Sequence, residues 1–331
     1  MVGTFRKALI TVIIVNYNAK THLARCLDAL REQTVQDFHI VLVDNASTDG
    51  SLNEIYTNEN LTVVRLAENV GFAAANNIGA LRSQSEFIAL LNPDAFPAPT
   101  WLEKLMEHAK AYPEYAAFGS TQLLDANSDL LDGAGDVLYF FGLPRRSKHL
   151  ERAIPLPPTR EVFSPCAAAA LYRRHLFVGV GGLDEAFFCY CEDVDLGFRL
   201  RLRGYKCLQV ADAIVRHVGG GSSGQISGFA ERHGHRNALW MHIKNMPMPL
   251  LALTLPCHFI AEFAKAIFDI ASPSRGRLAQ RAHNVKCRIQ GICEALAQIG
   301  PMMLQRRIIQ EKRVISSCSV ARTLCWRPWA S

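Results

Sequence analysis

The first apolar run of this chain is followed by no GxGxxG, and no GxxxxGK[ST] occurs in its 331 residues, so the usual dinucleotide and P-loop phosphate sites are excluded. Cysteine pairing is also missing. The ten cysteines are scattered without a CxxC, and only Cys189 and Cys191 lie close together, so neither a zinc ribbon nor a disulfide framework is expected and a reducing cytoplasm fits. A long uninterrupted apolar run is lacking as well. The most apolar stretch, 246–271, carries Pro247, Pro249 and Pro256 and then Glu262, Lys265 and Asp269, so a spanning helix of about 20 apolar residues is not expected. The N-terminus begins basic and apolar, but no small-residue cleavage site follows, and Asn16, Tyr17 and Asn18 close the run as a strand end would.

What is present is a globular composition: 49% hydrophobic and 20% charged residues exclude a disordered or fibrous chain and allow one large core or two moderate ones. Positive charge is confined to the tail. Residues 272–331 hold 11 Lys and Arg against 2 Asp and Glu, while the rest of the chain holds 25 against 28. Because this basic tail has no interleaved aromatic platform, nucleic acid is not expected as a partner. The preceding 246–271 stretch leaves two readings open. It is either a monotopic helix dipping into the headgroups of the cytoplasmic membrane surface, with the tail cations on anionic lipid, or a helix packed on the protein's own core.

The first hundred residues alternate. β-Branched, fully apolar runs at 8–16, 38–44, 62–67 and 86–92 read as strands, and 22–31 and 72–82 read as helices between them. This order predicts an α/β fold whose mostly parallel sheet is covered by helices on both faces. Ligands bind such sheets beyond the carboxyl ends of the strands. Those ends carry Asn16, Tyr17 and Asn18, then Asp44 and Asn45, then Asn69, Val70 and Gly71, then Asn92 and Asp94. One such tip is ordinary turn chemistry, but four together form a crevice suited to a pyrimidine base and ribose hydroxyls. Further on, Glu192, Asp193 and Asp195 place three carboxylates in four positions at an expected helix start. There mutual repulsion favours protonation and the helix N-terminus opposes it. His217 ends an apolar run and is followed by the glycine-rich GGGSSG, where backbone can approach an anion closely.

In order along the chain, TVIIVNYNA, VLVDNASTDGS, ENVGFAAANNIGA, ALLNPDAFP, CAAAALYRR, VGGLDEAFFCYCEDVDLGFRLRLRGY and VRHVGGGSSG resemble the family 2 inverting glycosyltransferases of GT-A fold. Within that family they most resemble the bacterial rhamnosyltransferases of cell-envelope polysaccharide synthesis. The resemblance implies a catalytic domain over 1–245, with a nucleotide-sugar half at 1–120 and an acceptor half at 121–245, which leaves an amphipathic, basic C-terminal helical extension at 246–331, membrane-associated on the first of the two readings above. It implies that Asp94 ligates Mg²⁺ or Mn²⁺ with His217 near it, that Asp193 is the catalytic base with Glu192 as runner-up, and that Asn76 and Asn77 run along base and ribose. Arg232 and Arg236, on the expected next helix, have two readings: bidentate partners of a diphosphate or an acceptor phosphate, or solvated face residues. The implied donor is a dTDP- or UDP-sugar and the implied acceptor a lipid-linked or polysaccharide glycan. Two departures stand out: Asn92 replaces the first acid of the Asp-x-Asp site, and Asn45 follows Asp44 where many relatives have two acids. A sugar-nucleotide nucleotidyltransferase and a non-catalytic membrane adaptor are the alternatives. The first lacks its glycine-rich, basic loop here, and the second has no need of both acidic groups.

Overall fold

The computed structural model describes residues 8–53, 55, 59–219, 227–272 and 277–327. Four parallel strands form the N-terminal half: β1 (Ile10–Asn16), β2 (Phe38–Asp44), β3 (Leu61–Arg65) and β4 (Phe87–Leu91). Every residue of β1, β2 and β4 is buried, as expected of strands covered on both faces. Helix α1 (Lys20–Arg31) seals one face through Leu23, Cys26, Leu27 and Leu30. Helix α2 (Gly71–Arg82) seals the other, and its alanines allow close approach: a Cβ on Gly79 would stand 2.6 Å from Ile13. The expected rhythm is thus observed, with boundaries shifted by one or two residues.

Beyond β4 the sheet becomes mixed. Strand β5 (Ala95–Pro97) and helix α3 (Trp101–Ala111) lead into β6 (Tyr115–Leu124) and β7 (Asn127–Gly133). A small hairpin, β8 (Asp136–Leu138) and β9 (Pro144–Arg146), and a short β10 (Arg160–Val162) follow. Strand β11 (Ala169–Arg173) then inserts antiparallel between β4 and β6, followed by α4 (Arg174–Gly179), α5 (Glu192–Leu202) and β12 (Lys206–His217). Among the described residues the ten-stranded sheet runs β10-β12-β6-β11-β4-β1-β2-β3, with β5 on β12 and β7 on β6.

The C-terminal part is helical: α6 (Phe229–Asn245), α7 (Met248–Ala271), α8 (Leu278–Ala297), α9 (Ile299–Glu311) and α10 (Ser317–Thr323). Leu239, Trp240, Ala295, Met302 and Val320 share one core with Phe187, Val194 and Phe198, so these helices buttress α5. The boundary expected at 245 falls in the tight link between α6 and α7. One expectation is corrected: the prolines do not break 248–271. Pro249 sits in the first turn, where its missing N–H costs nothing, and the helix continues through Pro256 for 24 residues, long and apolar enough by composition to cross a membrane.

Candidate functional site

The parallel register brings the strand tips level, Asn16 beside Asp44 and Asp44 beside Arg65. Most of the amides there are engaged by the protein itself. Asn16 Nδ2 donates to Asp44 Oδ1 at 3.0 Å and to the hydroxyls of Ser47 and Ser51, while Asn18 receives the Thr48 N–H. Asn45 donates to Asn69 Oδ1 and accepts from the Val70 N–H, fixing the turn into α2. At Gly71, φ is +89° and a Cβ would lie 2.6 Å from Phe188 Cδ2, so glycine is required by close packing; its N–H donates to Asn69. Asn77 holds the 183–185 turn through Leu183 and Glu185, and Asn76 is buried with its amide on the Phe72 carbonyl. These contacts show that Asn45, Asn76 and Asn77 also hold the local turns and helix through part of their amide hydrogen bonding. Asp44 and half-buried Tyr17 remain at the tips.

The loop after β4 builds a second cluster. Antiparallel pairing of β12 with β5 sets His217 opposite Ala95, which places the imidazole beside Asp94. His217 Nε2 stands 3.3 Å from Asp94 Oδ1, is buried, and makes no hydrogen bond, while Nδ1 contacts Asp132 Oδ2 at 2.8 Å. Burial works against a charged imidazole, but the two carboxylates outweigh it and push His217 up to about 9. Asp94 and Asp132 are conversely held below the usual carboxylate range: burial opposes this, and His217 prevails in both. Arg146 pairs with Asp132 at 2.5 Å and reaches Cys166 Sγ at 2.9 Å. The part of GGGSSG expected to approach an anion, 220–224, lies outside the described residues.

The third cluster opens α5. Three non-glycine residues in the preceding turn, Phe188, Tyr190 and Cys191, have φ of 63°, 74° and 65°, a strained conformation that the surroundings must impose. Asn237 imposes it, with Nδ2 donating to the carbonyls of Phe187, Cys189 and Tyr190 at 2.9, 2.9 and 2.8 Å. Arg236 joins it on the Phe187 carbonyl, with its guanidinium over Trp240, so part of its donor set holds this turn. The turn delivers three carboxylates with different fates. Asp195 is ionised by Arg199 and Lys244, which outweigh its burial, and is a structural ion pair. Burial pushes Glu192 well up, and Asp193 adds to it; burial likewise raises Asp193, with backbone N–H groups and Arg146 working against the rise. Asp193 Oδ2 accepts from Ala167 N at 3.0 Å and Oδ1 from Val194 N at 2.8 Å, leaving each oxygen a further lone pair.

Asp193 and the β4 end meet across a single backbone segment. Ala167 donates to Asp193, and the next carbonyl, Ala168, accepts from Asn92 N at 2.8 Å. Arg146 and Asp136 lie within this field: burial and then Asp193 push Asp136 up to about 8, with Arg146 partly offsetting. Asp132, Asp136, Arg146 and Asn237 escaped sequence reasoning. The acids flanking Gly133 and Gly135 in DGAGD were the only local signal for the first two, and Asn237 had none. Replacing Asn237 with alanine is expected to lower stability by about 1–3 kcal/mol in denaturant titrations, by orphaning buried carbonyls.

The comparisons with known proteins agree with this architecture, which is that of GT-A glycosyltransferases. The mannosyltransferase PcManGT of Pyrobaculum calidifontis, solved with GDP-Man and Mn²⁺, superposes with a TM-score of 0.54 at 18% identity over 96% of this chain and 87% of its own. GalNAc-T7, solved with UDP, GalNAc and Mn²⁺, superposes at 0.60 with 16% identity over 90% of this chain, which spans 57% of that enzyme. Residues 11–180 match glycosyl transferase family 2, and the chain belongs to that family. Among curated relatives, the N-acetylglucosaminyl-diphospho-decaprenol L-rhamnosyltransferase of Mycobacterium tuberculosis is 28% identical over 246 residues, 66% of this chain and 78% of that protein. The O-antigen biosynthesis protein RfbC of Myxococcus xanthus is 29% identical over 62% of this chain, which covers 17% of it.

Proposed function

We propose that this protein is a cytoplasmic, metal-dependent inverting glycosyltransferase that moves a deoxyhexose, rhamnose from its dTDP form, onto a polyprenyl-linked or polysaccharide acceptor of the cell envelope. The observation that carries the reading is the backbone segment Ala167–Ala168, whose first N–H donates to Asp193 and whose next carbonyl accepts from Asn92 N, two residues before Asp94 and its neighbour His217. The choice of sugar and acceptor is supported by the names of the relatives at 28% and 29% identity.

The residues present fit a hard divalent cation. Among the described residues no three His, Cys, Asp or Glu side chains form a ready cage, but His217 Nε2 and Asn92 Oδ1 are buried without a hydrogen bond next to Asp94. Asp94 would hold Mg²⁺ or Mn²⁺, and His217 would join it through Nε2 on loss of the proton that the two carboxylates otherwise keep there, with Nδ1–H staying on Asp132. When bound, the ion neutralises charge on the departing nucleoside diphosphate. Asp132 orients the His217 ring through Nδ1, and Asp44 with Tyr17 faces the nucleoside. Asp193 takes the proton of the acceptor hydroxyl as that oxygen attacks the anomeric carbon. Its two backbone hydrogen bonds fix the carboxylate, and its burial raises its proton affinity above that of an ordinary carboxylate.

The test is incubation of the full chain with dTDP-rhamnose and a polyprenyl-diphosphate-linked glycan, with UDP-sugars in parallel. The expected result is release of dTDP together with a rhamnosylated lipid of inverted anomeric configuration, falling to background with EDTA. Turnover of sugar 1-phosphate plus nucleoside triphosphate would overturn the reading.

A further inference from the structure

Helix α7 is built inside out for a helix resting on a protein. Its buried residues are largely polar: Thr254, His258, Glu262 and Asp269. Each has a partner on the body. Thr254 meets His242 Nε2 at 3.0 Å, His258 the Phe141 carbonyl at 2.9 Å, Glu262 the His235 ring at 2.6 Å, and Asp269 the Arg288 guanidinium at 2.5 Å. All of its Asp, Glu and Lys side chains, Glu262, Lys265 and Asp269, fall on this side. The opposite side is apolar and open, with Leu253 at 61%, Ile260 at 68%, Phe263 at 70% and Ile267 at 55% exposed. With 3.6 residues per turn the two stripes lie about 180° apart. A water-facing helix would carry the reverse pattern.

The surroundings name the occupant. At the start of α7, a cavity of about 400 Å³ lies between Met248 and Met303 and is lined by Arg307 and Arg313. The whole 272–331 segment that flanks the helix carries 11 Lys and Arg against 2 Asp and Glu. Arg288 and Arg306 are buried in the body, but an apolar stripe with exposed Arg307 and half-buried Arg313 at its start and a basic segment following it in sequence complements a surface that is apolar below and anionic above. A full crossing of the bilayer is disfavoured by the same geometry, because it would strip His258, Glu262 and Asp269 of their partners and leave them in hydrocarbon.

We propose that the outward stripe of α7 is a membrane-docking surface: the helix lies in the plane of an anionic bilayer, with Ile260 and Phe263 below the headgroups and the cations of the C-terminal segment on lipid phosphates. This surface stands apart from the transfer reaction proposed above and needs neither donor nor acceptor. It turns the polar stripe into the attachment of the helix to the body, so docking leaves the buried ion pairs intact.

The experiment is flotation of the full chain with vesicles of phosphatidylcholine alone or mixed with phosphatidylglycerol, without sugar nucleotide. The wild type is expected to float with the anionic vesicles and to be released by high salt and by alkaline carbonate. The double variant Ile260→Glu/Phe263→Glu is expected to lose binding about tenfold or more while keeping its thermal midpoint and circular dichroism. Leu81→Glu, which removes an exposed leucine on α2, should float as the wild type does. Unchanged flotation of the double variant overturns the proposal, as does resistance to carbonate, which marks a spanning helix. A wild-type dimer that ignores vesicles and falls to monomer in the double variant also overturns it, because the stripe then belongs to a second copy of the chain. Failure of flotation leaves the proposed transfer reaction untouched, since that is read by dTDP release.

Discussion

Replacing Asp193 with asparagine is expected to lower kcat by about 10²–10⁴-fold, the usual contribution of a positioned general base, while the donor dissociation constant stays within a few-fold of wild type. The change is nearly isosteric, but it removes the proton acceptor. It also turns an amide N–H₂ towards either the Ala167 or the Val194 N–H, both of which Asp193 now accepts, so a stability loss of about 1–3 kcal/mol should accompany it. Donor titration by calorimetry separates the two effects, because only a folded variant binds. The pH dependence carries the same signature with a definite sign. Burial raises Asp193 above the ordinary carboxylate range, and a base must be deprotonated to act. In the wild type kcat/KM should therefore fall as pH drops through a value above about 4, and this acid limb should vanish from the residual activity of the variant. Near-normal turnover in Asp193→Asn would remove the residue from the base role and leave Glu192 as the candidate.

Substituting Asp94 with alanine is expected to act one step earlier, on binding. With Mn²⁺ present, donor affinity should fall by about 10-fold or more and become insensitive to EDTA, because the carboxylate proposed to meet the cation is gone. His217 then keeps Asp132 as its single carboxylate contact and should titrate lower than about 9. Donor titrations of wild type and variant, each with Mn²⁺ and with EDTA, give the four numbers needed. Equal metal dependence in both proteins would place the cation elsewhere.

The contrast between these variants follows from how the sheet is assembled. Asp94 ends a strand whose apolar run and proline stop were visible in FIALLNPDAFP, and Asp193 sits in an acidic helix start equally visible in CYCEDVDLGF. Their link through one backbone segment was not visible. It depends on β11 inserting antiparallel beside β4, which carries Ala167–Ala168 between two segments about a hundred residues apart. No local pattern encodes that pairing; it is decided by which edge remains for a strand whose two faces are already buried. Asn237 is a similar case, being an ordinary polar residue in a helix until the carbonyls of a left-handed turn are brought to it. The amides of Asn45 and Asn77 show the converse, a position read from the sequence whose contacts only the fold supplied. Their place at strand ends and on α2 was legible, but not that neighbouring turns would take up their hydrogen bonds.

By itself the sequence determined the parallel strands, the helices between them and the polar tips at their carboxyl ends, because a continuous apolar run and a 3.6-residue stripe are local properties of the chain. It also determined that 248–271 has an apolar and a polar side. Only the tertiary structure decided that the polar side turns inward, because periodicity is symmetric between two faces. The choice is made by what waits opposite: His235, His242 and Arg288 on neighbouring helices supply the partners that Thr254, Glu262 and Asp269 require, and the apolar side is left outward.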